Sequence, residues 1–419
     1  MTGRVAFQHP NFRYFIGSRF LSSLASEMQA VGVAWQIYSL THRPLDLGLV
    51  GLAQFLPGVV LFLVAGHAAD HIPRRRILAA CMAAFTFCSA LLLAFALRGI
   101  ASIYPIYAVL LLNGVVRAFN SPAGHALMPQ LVPEEHFPNA VTWGSSVFQG
   151  AMVIGPMLGG LIYGFSGSPA PVYASSGLIC IASLALLMMI RIERPARPRS
   201  GASVGVVLDG LRYIWRHKMI LGAISLDLFA VLLGGAVALL PVFARDILRV
   251  GATGLGILRS APSVGAVIMA VVIAHHPLRR RAGLSMLACV VGFGIFTIVF
   301  GLSRSTPLAL ASLLLVGACD MVSVVVRHTL VQLGTPDEMR GRVSAVNGVF
   351  IGASNEVGQF ESGVTAQWFG TVPAVILGGI GAILVVLLWA WWFPELRAVD
   401  QLSGAKSTKD SQVSRAPAK

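Results

Sequence analysis

Charged side chains are scarce in this chain. Asp, Glu, Lys and Arg make up 11% of its 419 residues, whereas ordinary soluble domains carry about 25%. Hydrophobic residues make up 56% of the sequence, and the mean hydropathy is +0.77. A soluble protein of this length would lack the polar residues to cover its surface, so a soluble multidomain protein is excluded.

The sequence also lacks the motifs that carry most enzyme and ATPase chemistry. It contains no GxxxxGK[ST] phosphate loop, no HExxH and no CxxC, which argues against an ATP-driven pump, a metalloenzyme and a zinc site. We therefore predict no cofactor, no metal and no catalytic residue, and the chain is not expected to be an enzyme. The five cysteines lie inside apolar runs and are predicted to be reduced packing residues: Cys81, Cys88, Cys180, Cys289 and Cys319.

Apolar runs of about 20 residues recur from one end of the chain to the other, each long enough to cross a bilayer core of ~30 Å as a helix. No cleavable signal peptide is predicted before the first run. The fold class predicted is an all-α integral membrane protein with twelve transmembrane helices. The predicted spans are 12–38, 47–68, 77–98, 103–126, 140–163, 171–191, 218–244, 252–275, 283–302, 306–331, 343–369 and 372–393.

The net charge of +14 is explained by membrane topology. Of the 31 Lys and Arg residues, four fall within predicted spans and five at the ends assigned to one side, which leaves 22 for the opposite side. This bias follows the positive-inside rule, so both termini are predicted to be cytoplasmic. No nucleic-acid partner is needed to explain the basic character.

The sequence repeats itself weakly. A shift of 205 residues places Gly51 on Gly256, Pro57 on Pro262, and residues 74–76 on the arginines at 279–281. We interpret the repeat as two halves of six helices each, related by an axis along the membrane normal. The predicted organisation is an N-terminal half over 1–191, a solvated cytoplasmic linker over 192–217, a C-terminal half over 218–393 and a polar tail over 394–419.

The loop between the second and third spans carries Gly66 and Asp70, followed by arginines at 74–76. This arrangement resembles the loop signature of the major facilitator superfamily. The resemblance implies a twelve-helix transporter in which this loop acts as a conformational latch, formed by Gly66, Asp70, Arg74, Arg75, Arg340 and Arg342. The arginines at 74–76 could instead be topological anchors only. His275 stands at the position of Asp70 in the second half, so the two halves are not expected to be equivalent.

A second motif lies in the fifth span, where Gly155, Pro156, Gly159 and Gly160 follow one another closely. It resembles the span-5 motif of exporters and antiporters in this superfamily, although simple helix packing would also use such residues. Further segments resemble the bacterial branch of exporters that includes the enterobactin exporters. They are residues 10–13, 17–20, 48–57, 117–123, 239–244, 256–262, 335–336, 340–343, 354–356 and 361–363.

Ionisable residues within the predicted spans are the candidates for proton coupling and for lining a cavity. Each costs roughly 2.5–3.5 kcal/mol at mid-span, so it is expected to face a cavity and act there. Glu27 is the first candidate for the proton-carrying carboxylate, and static ion pairs are the alternative. The superfamily resemblance implies that Arg117, in the fourth span, is linked to proton coupling. The set is Arg19, Glu27, Arg117, Asp227, Arg259, Asp320, Arg327, Glu356 and Glu361, with Asp227 and Glu356 the next candidates for the proton.

These features together predict a secondary active transporter in the cytoplasmic membrane of a bacterium. The expected activity is proton-driven export of a small amphipathic molecule, a siderophore or a drug-like compound, by alternating access. The expected partners are this substrate, protons and the lipid bilayer, and the expected oligomeric state is a monomer. An uptake carrier of the same fold and a non-transporting membrane sensor stay open as alternatives. The charge of the substrate is also open, because a catecholate would favour arginine contacts and a cationic drug would favour Glu27.

Overall fold

The computed structural model describes residues 4–100, 102–191, 204–277 and 281–399. These residues form helices joined by short connections, and no strand occurs among them. The helices are α1 (Pro10–Thr41), α2 (Pro44–Val60), α3 (Phe62–His71), α4 (Arg74–Leu97), α5 (Tyr104–Leu127), α6 (Phe137–Ser166), α7 (Ala170–Met188), α8 (Val204–Arg216), α9 (Lys218–Leu233), α10 (Leu240–Val242), α11 (Gly251–His275), α12 (Ala282–Leu302), α13 (Thr306–Gly334), α14 (Asp337–Phe369), α15 (Thr371–Trp392) and α16 (Pro394–Arg397).

The prediction of an all-α membrane protein is confirmed. Within the described ranges, eight helices are long and apolar enough to cross a membrane, and α2 is a shorter apolar helix. The helices α1, α5 and α14, which coincide with three of the other predicted spans, have 32, 24 and 33 residues. Their length suffices to cross a bilayer, and they carry much of the intramembrane charge, including Arg19, Glu27, Arg117, Glu356 and Glu361.

Proline and glycine mark the helix boundaries. Pro10, Pro44 and Pro307 occupy the first turns of α1, α2 and α13, where a missing N–H breaks no intrahelical hydrogen bond. Gly167 ends α6 with a φ of 63°, a left-handed conformation that glycine adopts without steric penalty. The predicted second span is divided at Leu61 into α2 and α3.

The described chain groups into two compact units. The first contains Met1–Ser203 together with Val237–Ser263. In this unit α1 packs against α6 and α7, and α5 packs against α2, α3 and α4. Its largest apolar core is built on the fully buried side chains of Phe12 and Phe15 from α1 and Leu127 from α5.

The second unit contains Val204–Ala236 and Val264–Lys419. In this unit α12 packs against α13 and α15, while α9 contacts α14 and α15. The sequence analysis foresaw no helix in the linker, and the structure places α8 there. Ile214 of α8 is fully buried in a cluster with Ile220, Val331 and Val343, so this part of the linker is packed against the second unit. Residues 192–203, the arginines at 279 and 280, and the tail from residue 400 lie outside the described residues, and the division into six-helix halves stays a prediction.

Candidate functional site

Glu27 of α1 forms an ion pair in the first unit. Its Oε2 atom lies 3.6 Å from Nη2 of Arg259 on α11, and the two side chains are 19% and 26% exposed. The Glu27 Oε2 atom is buried and has no hydrogen-bond partner among the described residues. The sequence analysis proposed both residues as cavity candidates but did not predict that they pair. The interaction is electrostatic and lacks the hydrogen bond that would strengthen it.

The span-5 motif lies directly beside this pair. A Cβ atom on Gly155 would lie 2.6 Å from the Cβ of Glu27, and one on Gly159 would lie 2.7 Å from the carbonyl oxygen of Met28. Both distances are shorter than van der Waals contact. The absent side chains therefore allow α6 to pack backbone to backbone against α1 at the level of Glu27.

The same motif brings α6 against the beginning of α11 within the first unit. A Cβ atom on Gly160 would lie 2.7 Å from the Cα of Gly256, and one on Gly256 would lie 2.4 Å from the carbonyl oxygen of Pro156. Ser260 donates a hydrogen bond from its hydroxyl to the carbonyl oxygen of Val153, at 2.7 Å. The helix-packing interpretation of this motif thus has a structural basis, and its use in export stays a prediction.

Two further arginines of the first unit lie along α5. The guanidinium of Arg19, on α1, approaches α5 at Gly124, where Nη1 is 3.4 Å from the position of a Cβ, and lies 5.9 Å from the ring centre of Phe15. Arg117, two helical turns before Gly124, is exposed and donates from Nη1 to Oε1 of Gln54 at 2.9 Å. An exposed arginine in a membrane span is expected to face water rather than lipid, so we expect the side chain of Arg117 to face water.

The second unit contains a buried ion pair between Asp227 of α9 and Arg327 of α13. Asp227 is 6% exposed and Arg327 is 2% exposed. Asp320 lies two turns before Arg327 on α13 and, together with Asp227, lines a small internal cavity. The sequence analysis placed all three residues among the candidates within spans, but the pairing of Arg327 with Asp227 of α9 was not predicted.

Glu356 and Glu361 make local hydrogen bonds on α14. Oε2 of Glu356 accepts from Nε2 of Gln359 at 3.3 Å, and Oε1 of Glu361 accepts from the hydroxyl of Thr365 at 2.7 Å. Both carboxylates are partly buried. Different groups contact the two side chains, in agreement with their five-residue separation on a helix.

The predicted latch residues have partners of their own. Nη2 of Arg75 donates to the carbonyl oxygen of Met188 at 2.7 Å, and Nε of Arg74 donates to the carbonyl oxygen of Ala69 at 3.4 Å. Gly66 lies within α3, whereas the side chain of Asp70 lies outside the described part of the structure. The latch therefore stays a prediction.

The remaining latch arginines belong to the second unit. Nη1 of Arg342 donates to Oδ2 of Asp209 on α8, at 3.0 Å, and Nε of Arg340 donates to the carbonyl oxygen of Gln332 at 3.3 Å. The sequence analysis missed Asp209. A signal for Asp209 was available in the sequence. It is the single acidic residue of an amphipathic segment, 204–216, which follows the Arg- and Pro-rich part of the linker.

Two aspartates outside the predicted set also make defined contacts. The hydroxyl of Tyr38 donates to Oδ2 of Asp246, which lies in the π-helical turn Phe243–Ile247. The hydroxyl of Tyr107 donates to the backbone carbonyl of Asp46 at 2.9 Å, and Asp46 is 4% exposed. Both aspartates lie just outside the predicted spans, and no role was predicted for either of them.

No group of three or more His, Cys, Asp or Glu side chains that could hold a metal ion occurs among the described residues. All five cysteines are free thiols, and Cys81, Cys88 and Cys180 are buried.

Solved transporter structures share this fold. One is a POT family transporter in complex with 5-aminolevulinic acid, with a TM-score of 0.72 and 10% identity over 93% of this chain and 97% of that one. Another is a bacterial homologue of the iron transporter ferroportin in an inward-facing state, with a TM-score of 0.67 and 16% identity over 93% and 98% of the two chains. At these identities the likeness establishes the fold alone.

The helical membrane fold and its charged spans define a multi-pass transporter of the major facilitator superfamily rather than an enzyme. The family model described as transmembrane secretion effector matches residues 2–416, and the chain belongs to that family. Its relatives include the enterobactin exporters EntS of Shigella boydii serotype 4 (strain Sb227) and of Escherichia coli O1:K1 / APEC. Each is 28% identical over 382 residues, which cover 90% of this chain and 86% of the relative.

Proposed function

We propose that this transporter is a proton-driven exporter of a small amphipathic molecule, a siderophore or a drug-like compound, in the bacterial cytoplasmic membrane. The observation that carries the proposal is the likeness to enterobactin exporters along 90% of the chain. Alternating access moves the substrate outward, both termini lie on the cytoplasmic side, and the protein works as a monomer with the substrate, protons and lipid as its partners.

The packing around Glu27 supports the proposal that α6 moves against α1 and α11 at the span-5 motif. Gly155 and Gly159 let α6 lie against α1 without an intervening side chain, and Gly160 does the same against α11. Contacts between bare backbones can separate and re-form without repacking large side chains. A transporter that alternates between two states requires such surfaces.

The charges of the first unit support binding of a polar group in a wet cavity. Arg259 compensates Glu27 at 3.6 Å, whereas Arg19 and Arg117 add positive charge along α5. A carboxylate or a catecholate on the substrate would find donors in these guanidinium groups, because a planar guanidinium offers several N–H groups to one anion. Acidic or catechol-bearing substrates are therefore expected to be preferred over cationic dyes.

Efflux measurements test the proposal. Cells that lack their own exporters would express the wild type, Glu27→Gln or Asp70→Asn, with Glu135→Gln as a matched control outside the spans. We expect export of enterobactin by the wild type and by the control, with a loss on addition of a proton uncoupler. Glu27→Gln removes the charge that holds Arg259 and is expected to reduce export severely.

Other outcomes would change the assignment. Accumulation of the probe inside the cells would identify an uptake carrier of the same fold. No movement of siderophores or cationic dyes by a well-expressed wild type would favour a membrane sensor. Export that persists with the uncoupler would contradict proton coupling.

A further inference from the structure

The two ionic clusters in the membrane differ in their charge balance. In the first unit one carboxylate, Glu27, faces one guanidinium, Arg259. In the second unit Asp227 pairs with the guanidinium of Arg327, and a second carboxylate, Asp320, lines the same cavity as Asp227. With all groups ionised, the first cluster is neutral and the second carries one negative charge. An isolated charge of this kind is strongly disfavoured in a membrane span.

The second cluster lies beside a small cavity. A small cavity opens between α9, α12 and α13, and Asp227, Asp320 and Ser323 line it together with apolar residues. Ser323 is 2% exposed, and its hydroxyl has no hydrogen-bond partner among the described residues. The Nε–H of Arg327 is likewise buried without a partner. Unpartnered buried polar atoms beside an excess carboxylate indicate that the cluster is incomplete as it stands.

The groups that face Asp320 can be named from each wall of this cavity. Asp227, which is paired with Arg327, comes from α9, and Ser323 and Cys319 come from α13, the helix of Asp320 itself. The contribution of α12 consists of the apolar side chains of Val290 and Phe293.

From this arrangement we infer that the transported proton binds at Asp320, and that Asp227 and Arg327 form a permanent ion pair that holds it in place. The inference rests on the proposed proton coupling and assigns its site. A hydronium ion gives up a proton, which forms an O–H bond with the Asp320 carboxylate and leaves a water molecule, and the charge of the cluster falls from −1 to zero. The same O–H bond breaks when the cavity opens to the other side. Asp227 is a positioning residue, because its charge is already matched by Arg327.

A proton fits this site better than a metal cation does. The cavity is small, and Arg327 lies against Asp227, so a sodium ion would meet a guanidinium at short range. A cation of that kind also needs several oxygen ligands, whereas the described cavity offers two carboxylates and one hydroxyl. A proton requires one oxygen and removes the excess charge directly.

Infrared difference spectroscopy on the purified full-length protein tests the assignment without requiring transport. A pH titration of the wild type is expected to show the carbonyl stretch of a protonated carboxylic acid in the membrane region. This band is expected to disappear in Asp320→Asn and to remain in Glu27→Gln and in the surface control Glu395→Gln. Asp320→Asn keeps the Asp227–Arg327 pair intact, so the variant should fold, and Asp320→Glu should restore a band.

Several other results would contradict the assignment of the proton to Asp320. Loss of the band in Glu27→Gln, its persistence in Asp320→Asn, or its absence from the wild type would overturn the inference. A spectral change that follows sodium concentration instead of pH would assign a metal cation to the cavity. The infrared band and the export assay can also give different answers. If the band assigned to Asp320 is present but the protein exports none of the probes, the proton site is supported and the proposed substrate is wrong.

Discussion

Replacing Arg327 by Gln removes the positive charge from the most deeply buried ion pair described in the membrane spans. The substitution leaves Asp227, which is 6% exposed, without its cation. Removal of one partner from a buried ion pair destabilises proteins by roughly 3–5 kcal/mol, because the other charge is left uncompensated. With about 2–4 °C per kcal/mol for a unit of this size, the midpoint of thermal unfolding should fall by roughly 6–20 °C.

A double substitution separates the lost interaction from the exposed charge. In Asp227→Asn with Arg327→Gln, both charges are gone and two polar side chains of similar shape are left. Replacing both members of a buried pair is often close to neutral, so most of the lost stability should return. The coupling between the two sites is then the difference between the double variant and the sum of the single variants.

The assay is thermal unfolding of the purified protein in one detergent, with Arg342→Gln as the control. Arg342 pairs with Asp209 at 3.0 Å, but the two side chains are 40% and 45% exposed. A solvent-exposed pair contributes at most about 1 kcal/mol. If Arg327→Gln lowers the midpoint no more than Arg342→Gln, or if the double variant is no more stable than the single one, the buried pair does not have the role assigned to it.

Two further predictions concern the first unit. Gly155→Val should destabilise the packing of α6 against Glu27 by roughly 1–3 kcal/mol and should strongly reduce efflux. Gly58→Ala is the control: a Cβ atom on Gly58 would have no neighbouring atom within 4 Å, so thermal stability and efflux should stay unchanged. With the five native cysteines replaced, Arg117→Cys should react with a charged, membrane-impermeant thiol reagent roughly tenfold or more faster than Leu111→Cys, because only the former faces water. Equal rates would contradict a wet cavity beside α5.

The all-α membrane fold could be predicted because hydropathy alone determines it. Most predicted spans coincide with one helix; the second is divided into α2 and α3 around Leu61, and the span 218–244 contains α9, a short 3-10 turn, α10 and the beginning of a π-helical turn. The Gly-rich motif of α6 could also be recognised, since close helix packing requires small residues at fixed spacing. These features depend on local sequence.

The ion pairs could not be predicted, because they depend on which helices become neighbours. Asp227 and Arg327 are 100 residues apart in sequence, and nothing in either segment identifies the other. The same applies to Glu27 with Arg259. The helix α8 was not predicted for a different reason. It contains charged residues and follows an Arg- and Pro-rich segment, so its apolar face was not recognised in the sequence.

The unequal charge of the two ionic clusters has a consequence for membrane potential. With a proton on Asp320 the cluster of Asp227, Asp320 and Arg327 is neutral, and without the proton it carries −1. Moving one elementary charge through the full potential corresponds to about 2.3 kcal/mol for every ~100 mV. In an exporter that exchanges protons for substrate, the unprotonated carrier is the one that carries substrate outward. The membrane potential should therefore act on the charge of this cluster during the export step, and not during the return step, when the protonated cluster is neutral.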